Sequence, residues 1–241
     1  MHRFYADALS EHGLAYLSPE DAKHALRVLR MNPGDPAELI LPGRRYRAVL
    51  REGAALEPLE ELPSTEARLR ITLFQGLPKA DKMDWIVQKA VEIGVERIVP
   101  VIMNRCVVRL SPQDAEKKVL RWNRVAREAG MQSGRCRLPE VAPVISLREL
   151  PEIADSLDLC VVPWEEECTM GPRKFVAAHP DFASLGILIG PEGGIESGEI
   201  AFLGSAFFPL TLGPRILRTE TAGLTAAAVF LALAGEMEGR S

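Results

Sequence analysis

The chain has 241 residues, of which 47% are hydrophobic and 26% charged, with a formal net charge of −4. These values describe a globular protein of one large domain or two ordinary ones. They exclude a polycation that coats nucleic acid non-specifically, while leaving room for a confined basic patch that reads RNA. No apolar run reaches membrane-spanning length without a polar break, so no membrane partner is expected. The opening MHRFYADALSEHG has no signal-peptide core, which makes the cytoplasm the expected location. Cys106, Cys136, Cys160 and Cys168 form no C-x-x-C pair and the His residues are scattered, so neither a metal site nor a disulfide framework is expected.

Residues 1–66 read as a small β-barrel. Ser18-Pro19-Glu20-Asp21 predicts a helix start, with Ser as N-cap, Pro in the first turn and acids on the positive end of the dipole. That helix is expected to run to about Met31 and stop at the turn Asn32-Pro33-Gly34-Asp35. Three short strands follow, Ala37–Leu41, Arg45–Arg51 and Ala55–Leu59, with turns at Gly43 and Glu52-Gly53. The even spacing of Arg45, Arg47 and Arg51 makes one strand face basic. His24, Arg27 and either Arg30 or Met31 share a helix face. Two basic faces in one module point toward RNA.

Leu62–Glu66 is the natural linker, and residues 67–241 alternate strand and helix. The expected order is a strand Leu69–Phe74, the loop Gln75–Pro78, and a helix opening at Lys79–Lys82 with the apolar stripe Met83, Ile86, Val87, Ala90 and Val91. Gly94 ends that helix, and the unbroken apolar run Arg97–Met103 suits a strand covered on both faces. Asn104–Leu110 carries two arginines. A long helix spans about Gln113–Met131 with Arg121, Arg124 and Arg127 exposed, and Gly134 serves as a left-handed C-cap. Beyond Val141–Ile145 and a short helix near Leu147–Ala154, the strand Leu157–Val162 ends in Pro163-Trp164-Glu165. A helix near Pro172–Ala178 leads to the strand Leu185–Ile189, which runs into Gly190-Pro191-Glu192-Gly193-Gly194. A short helix begins at about Glu196. The strand Phe207–Leu212 then runs into Gly213–Thr221, and an Ala- and Leu-rich helix, Thr221–Gly235, follows with Thr219 or Thr221 as N-cap. This helix is apolar nearly all round and should be buried, and its small residues would let it pack closely against a partner subunit.

Gly- and Pro-rich loops at strand ends describe a small-molecule site, since ligands collect at the carboxyl edge of open α/β sheets. The spacing fits neither a dinucleotide fingerprint nor a phosphate-binding loop, which disfavours those cofactors.

The pair LIGPEGG and LGPRILRTETA resembles the two C-terminal signature loops of the 16S rRNA uridine-N3 methyltransferases, a family of SPOUT-type enzymes. The resemblance implies an α/β fold: a small PUA-like β-barrel over 1–66, then a knotted parallel-sheet methyltransferase domain over 67–241, in which the loops form a deep trefoil knot. HALRVLRMNPGD resembles the RNA-binding module of the same family, and Gln132–Arg135 its Q-S-G-R stretch, so His24, Arg27, Arg45, Arg47 and Arg135 become the expected RNA contacts. S-adenosylmethionine is the implied cofactor, 16S rRNA of the small ribosomal subunit the implied substrate, and a homodimer with its last helix in the interface the implied assembly. Gly190, Gly193 and Gly194 are expected to meet the cofactor through backbone. Leu212, Gly213, Ile216 and Leu217 would line the adenine slot, with Thr219 beside them and Trp164 in the third wall. Glu192 either binds the ribose or the positive end of the cofactor, or caps the next helix. Arg218 is the expected catalytic group, placed to stabilise charge on the attacked pyrimidine, with Arg215 as second choice and Glu220 as a candidate base. The alternatives are a non-catalytic RNA-binding or ribosome-assembly protein, and a SPOUT enzyme acting on another RNA.

Overall fold

The structure, a computed structural model, describes residues 1–238. It divides into two compact units, one of Met1–Glu66 with Gly130–Leu138, the other of Ala67–Ala129 with the residues from Pro139 on. The return of 130–138 to the first unit is not legible in the sequence, because the long helix that carries it there reads as a single element.

The first unit is a five-stranded sheet that curls into a half-barrel. Its strands are β1 (His2–Tyr5), β2 (Ala15–Tyr16), β3 (Pro36–Leu41), β4 (Arg44–Arg51) and β5 (Ala55–Leu62), in the order β1-β3-β4-β5-β2. β1 runs parallel to β3, and the other pairings are antiparallel. Alternation along β4 sends Tyr46, Ala48 and Leu50 into a core with Phe4, Leu39 and Leu56. A register shift between Arg47 and Ala48 bends the strand, as bulges do. Helix α1 (Pro19–Lys23) is capped by Ser18, whose Oγ accepts the Asp21 N–H at 3.1 Å.

α1 does not continue to Met31. His24–Val28 widens into a π turn, in which the Leu29 N–H reaches the His24 carbonyl and the Met31 N–H the Ala25 carbonyl. The wider turn lets Ala25 and Met31, six residues apart, both enter the core, while His24, Arg27 and Arg30 stay exposed. Met31 therefore leaves the basic face.

The second unit carries a seven-stranded parallel sheet. In chain order its elements are β6 (Arg70–Gly76), α2 (Lys82–Ile93), β7 (Arg97–Ile102), α3 (Pro112–Ser133, of which 130–133 belong to the first unit), β8 (Glu140–Val141), β9 (Ile145–Ser146), α4 (Leu150–Ala154), β10 (Leu159–Pro163), α5 (Pro172–Ala178), β11 (Ser184–Ile189), α6 (Ser197–Leu203), β12 (Phe208–Leu210) and α7 (Thr219–Leu233). The sheet order is β12-β10-β11-β6-β7-β8, with β9 also on β7. Every pairing is parallel, so the loops after β10, β11 and β12 leave from one edge. β11 is buried along its whole length, as a strand covered on both faces must be. The α2 stripe of Met83, Ile86, Val87, Ala90 and Val91 is the buried face, and Gly94 ends the helix at φ 122°.

Helix α7 packs across β6 and β11. Gly223 makes this possible: a Cβ there would lie 3.0 Å from Leu73 Cδ1 and 3.3 Å from Ile189 Cγ1. Only one side of the helix is buried, through Gly223, Ala226, Ala227, Phe230 and Leu231, while Leu233 is 36% exposed. Its N-cap is Arg218, not Thr219 or Thr221, since the Thr219 hydroxyl is engaged elsewhere. Among the described residues no helix is long and apolar enough to cross a membrane.

Candidate active site

Three strand-end loops surround a cavity of about 510 Å³ at the carboxyl edge of the sheet. Pro163, Trp164, Glu165, Glu167 and Cys168 come from the loop after β10; Gly190, Pro191, Gly194 and Ile195 from the loop after β11; and residues 211–217 with Thr219 from the loop after β12. Pockets that take small ligands run roughly 300–1,000 Å³, so the size suits a nucleoside-bearing cofactor.

The loop after β11 is shaped by turn chemistry. The Gly194 N–H donates to the Pro191 carbonyl at 2.9 Å, closing a four-residue turn, and Gly194 sits at φ 75°, where a side chain is strained. The loop after β12 turns at Gly213, φ 105°, where its N–H meets Thr211 Oγ1 at 3.2 Å. Main-chain bonds tie the loops after β10 and β12 together: Trp164 N–H to the Leu210 carbonyl at 3.0 Å, and Thr211 N–H to the Met170 carbonyl at 2.9 Å. Beneath the cavity, buried Thr219 joins two strand ends. Its Oγ1 donates to the Gly190 carbonyl at 2.7 Å and accepts from Gln75 Nε2 at 2.9 Å.

The expected cofactor set divides in two. Trp164, Gly190, Gly194, Leu212, Gly213, Ile216, Leu217 and Thr219 all line the cavity. Ile216 is 87% exposed, so its side chain has little protein around it. Gly193 and Glu192 do not line it. Gly193 is explained by packing, because a Cβ there would lie 2.9 Å from Arg105 Cβ, and its carbonyl accepts from Arg105 Nη1 at 2.9 Å. Glu192 neither faces the cavity nor caps α6; its carboxylate accepts the Lys79 N–H at 3.1 Å and pairs with Lys82 Nζ at 3.0 Å. Thr219 is a wall residue whose one hydroxyl proton is already committed to Gly190.

Arg218 is exposed between two wall residues but is not itself on the wall, whereas Arg215 is. Glu220, its nearest acid in sequence, pairs with Lys82 at 3.1 Å. The Glu220 carboxyl is held below its usual range by backbone hydrogen bonding first and by Lys82 next.

Glu165 and Glu167 were not anticipated, although acids directly after a β-run at the ligand edge are a readable signal. Glu167 is pinned by Thr169 and by the N–H of Met170, and its carboxyl falls to about 2. Trp164 Nε1 is a buried donor with no partner, on a residue of the cavity wall. An unpaired donor, two carboxylates and apolar walls fit a cofactor with a flat nucleoside and a cationic end. Among the described residues, no cluster of His, Cys, Asp and Glu could hold a metal. The four cysteines are free thiols. Burial pushes Cys160 up to about 12 and raises Cys106, while Cys168 is exposed on the cavity wall.

The expected RNA contacts stand in two kinds of surroundings. The face formed by Arg45, Arg47 and Arg51 is not free positive charge. Arg45 lies 3.7 Å from Glu38, Arg47 3.2 Å from Glu60, and Arg51 pairs with Glu57, because the neighbouring strands set glutamates against it. Arg135 is 4% exposed and forks onto Glu66, at 2.7 Å from Nη2 and about 3.0 Å from Nε. His24 and Arg27 remain exposed.

Residues 65–231 match the RNA methyltransferase domain family. With the parallel sheet and its three-loop cavity, that match defines the class, a SPOUT-type RNA methyltransferase domain behind an N-terminal half-barrel. The ribosomal RNA small subunit methyltransferase E of Bacillus subtilis is 34% identical over 223 residues, 87% of this chain and 86% of that protein. Its Mycobacterium tuberculosis counterpart is 32% identical over 251 residues, 98% of this chain and 92% of the other. The structure of the Neisseria gonorrhoeae methyltransferase E bound to S-adenosyl methionine superimposes with a TM-score of 0.79 at 36% identity, covering 97% of this chain and 98% of that one. A Legionella pneumophila protein described as a methyltransferase in complex with the same cofactor gives 0.82 at 30% identity, covering 96% and 97%. The chain belongs to the ribosomal RNA small subunit methyltransferase E family.

Proposed function

We propose that this protein uses S-adenosylmethionine to methylate N3 of a specific uridine in 16S rRNA of the small ribosomal subunit, acting as a cytoplasmic homodimer. The observation that carries the reading is the three-loop cavity at the carboxyl edge of a parallel sheet, in a chain whose relatives of similar length are solved with that cofactor bound. The deep knot implied by the loop motifs belongs to the same proposal, as does the assignment of 1–66 as a PUA-like RNA-binding module. A dimer would cover Leu233, which the sheet leaves 36% exposed on α7.

The bound cofactor supplies an electrophilic methyl carbon on a sulfonium centre. Trp164, Gly190, Gly194, Leu212, Gly213, Ile216 and Leu217 would hold it, with Trp164 Nε1 free to donate and Glu165 and Glu167 offering negative charge to its cationic end. The apolar walls exclude water, and the loops fix orientation, which removes most of the entropic cost of an in-line displacement. Uridine N3 must lose its proton as it attacks, and negative charge then spreads onto the flanking carbonyl oxygens. Arg218 is the group proposed to stabilise that charge, because Glu220 is held by Lys82 and leaves the guanidinium available. Arg215, on the wall, is the second choice. Glu220, committed to Lys82, is a poor base, so the proton leaves to solvent in this account.

The test is methyl transfer to small ribosomal subunits lacking the modification, followed by mass mapping of the RNA. A methyl group on uridine N3 supports the reading, and one on another base or on ribose overturns the specificity. Arg218→Ala should lower kcat by about 10²–10³-fold with donor affinity nearly kept. A collapse of donor affinity with kcat intact would remove Arg218 from this role.

A further inference from the structure

Lys82 stands where local helix energetics would not put it. It opens α2, and a cation in the first turn of a helix meets the positive end of the dipole. Its ammonium reaches out of the helix to two carboxylates on two different segments: Glu192 Oε1 at 3.0 Å, in the loop after β11, and Glu220 Oε2 at 3.1 Å, in the first turn of α7. The same Glu192 carboxylate also accepts the Lys79 N–H at 3.1 Å, so the segment leading into α2 grips that loop twice. Glu192 lies two residues beyond Gly190 and Glu220 one residue beyond Thr219, and Gly190 and Thr219 are both cavity walls joined by their own 2.7 Å hydrogen bond.

We propose that Lys82 is a positioning residue: it clamps the loop after β11 to the start of α7 beside the cavity and takes up Glu220, so that this carboxylate does not close a direct pair with Arg218. This inference rests on the methyltransferase reading. Two observations support it. Glu220 follows Arg218 by only two residues and feels its charge, yet it gives its side-chain hydrogen bond and its ion pair to Lys82. The three groups are partly solvated, with side-chain exposures of 30% for Lys82, 25% for Glu192 and 21% for Glu220, and exposed ion pairs contribute little to stability. The clamp is therefore expected to act on turnover rather than on folding. Without the ammonium, Glu220 loses its ion pair, and Arg218 is the other cation that acts on it.

The full chain is compared as wild type, Lys82→Met, Lys82→Arg and Lys82→Met combined with Glu220→Gln. The measurements are methyl incorporation into unmodified small subunits across donor concentrations, calorimetric binding of S-adenosylmethionine, and thermal melting. Lys82→Met is expected to lower kcat by about 10–100-fold, with the donor Kd changed less than about threefold and the melting point nearly unmoved. Lys82→Arg should recover most of the turnover, and so should Glu220→Gln in the Lys82→Met background, because the competing carboxylate is gone. Lys82→Gln is assayed in parallel, so that a misfolded Met variant leaves a second reading of the same charge removal. Wild-type kcat in the Met or Gln variant, or a loss that Glu220→Gln fails to recover, overturns the role of Lys82. A wild-type chain that neither binds the donor nor transfers methyl sinks the methyltransferase reading itself, a separate outcome.

Discussion

At the scale of single residues, the site depends on a few committed hydrogen bonds. Thr219 is the sharpest case, since one hydroxyl satisfies the Gln75 amide and the Gly190 carbonyl together. Thr219→Val keeps the shape and strands both groups, and a buried group left unpaired costs about 1–3 kcal/mol. Chemical denaturation should show a loss of that size, and Thr219→Ser should restore most of it. Glu167 makes a pH prediction. Its folded carboxyl lies at about 2, below the ordinary 4.5, so its contribution is complete above about 4.5 and is lost as pH falls toward about 2. Because Thr169 and Met170 hold it, the loop carrying Trp164 should loosen over that window, read as a change in Trp164 fluorescence. Glu167→Gln should abolish the acid-side change; a variant that titrates like wild type would show another group at work.

At the scale of elements, close approach sets the tolerances. Gly76 ends β6 where a Cβ would lie 2.8 Å from Pro191 N and 2.9 Å from the Ile189 carbonyl, both backbone atoms that cannot swing aside. Gly76→Ala should therefore destabilise by about 1–3 kcal/mol and weaken donor binding, since the loop after β11 must move. An equilibrium unfolding curve and a calorimetric titration of the same variant check both halves. Periodicity found α2 and its buried stripe because an amphipathic helix writes its face into the sequence. It missed the π turn at His24–Val28, whose extra residue per turn is a packing compromise between Ala25 and Met31. It also missed β1 and β2, which are too short and too dependent on their partners to carry a pattern of their own.

At the scale of the whole molecule, the parallel sheet and the edge that carries the cavity were legible, because Gly- and Pro-rich loops after apolar strands mark that edge. The identity of the ligand was not legible from spacing; it came from the resemblance of two long loop motifs. The fate of charged residues was hidden too. Arg45 and Arg47 read as a basic face, and the glutamates that neighbouring strands set beside them are visible only in the register; Arg135 reads as a contact, and its pairing with Glu66 is likewise visible only in the fold. Glu192 likewise looked like a ligand group until Lys82 claimed it. Homodimer formation is expected to show as twice the chain mass in light scattering, and a charged residue in place of Leu233 on α7 should shift the protein toward monomer. The most direct test of the central claim is calorimetric titration of the purified chain with S-adenosylmethionine. Saturable binding, one donor per chain or per shared site, lost when Gly194 is replaced by a bulky residue, is predicted. No heat at any donor concentration, or binding indifferent to that replacement, would contradict it.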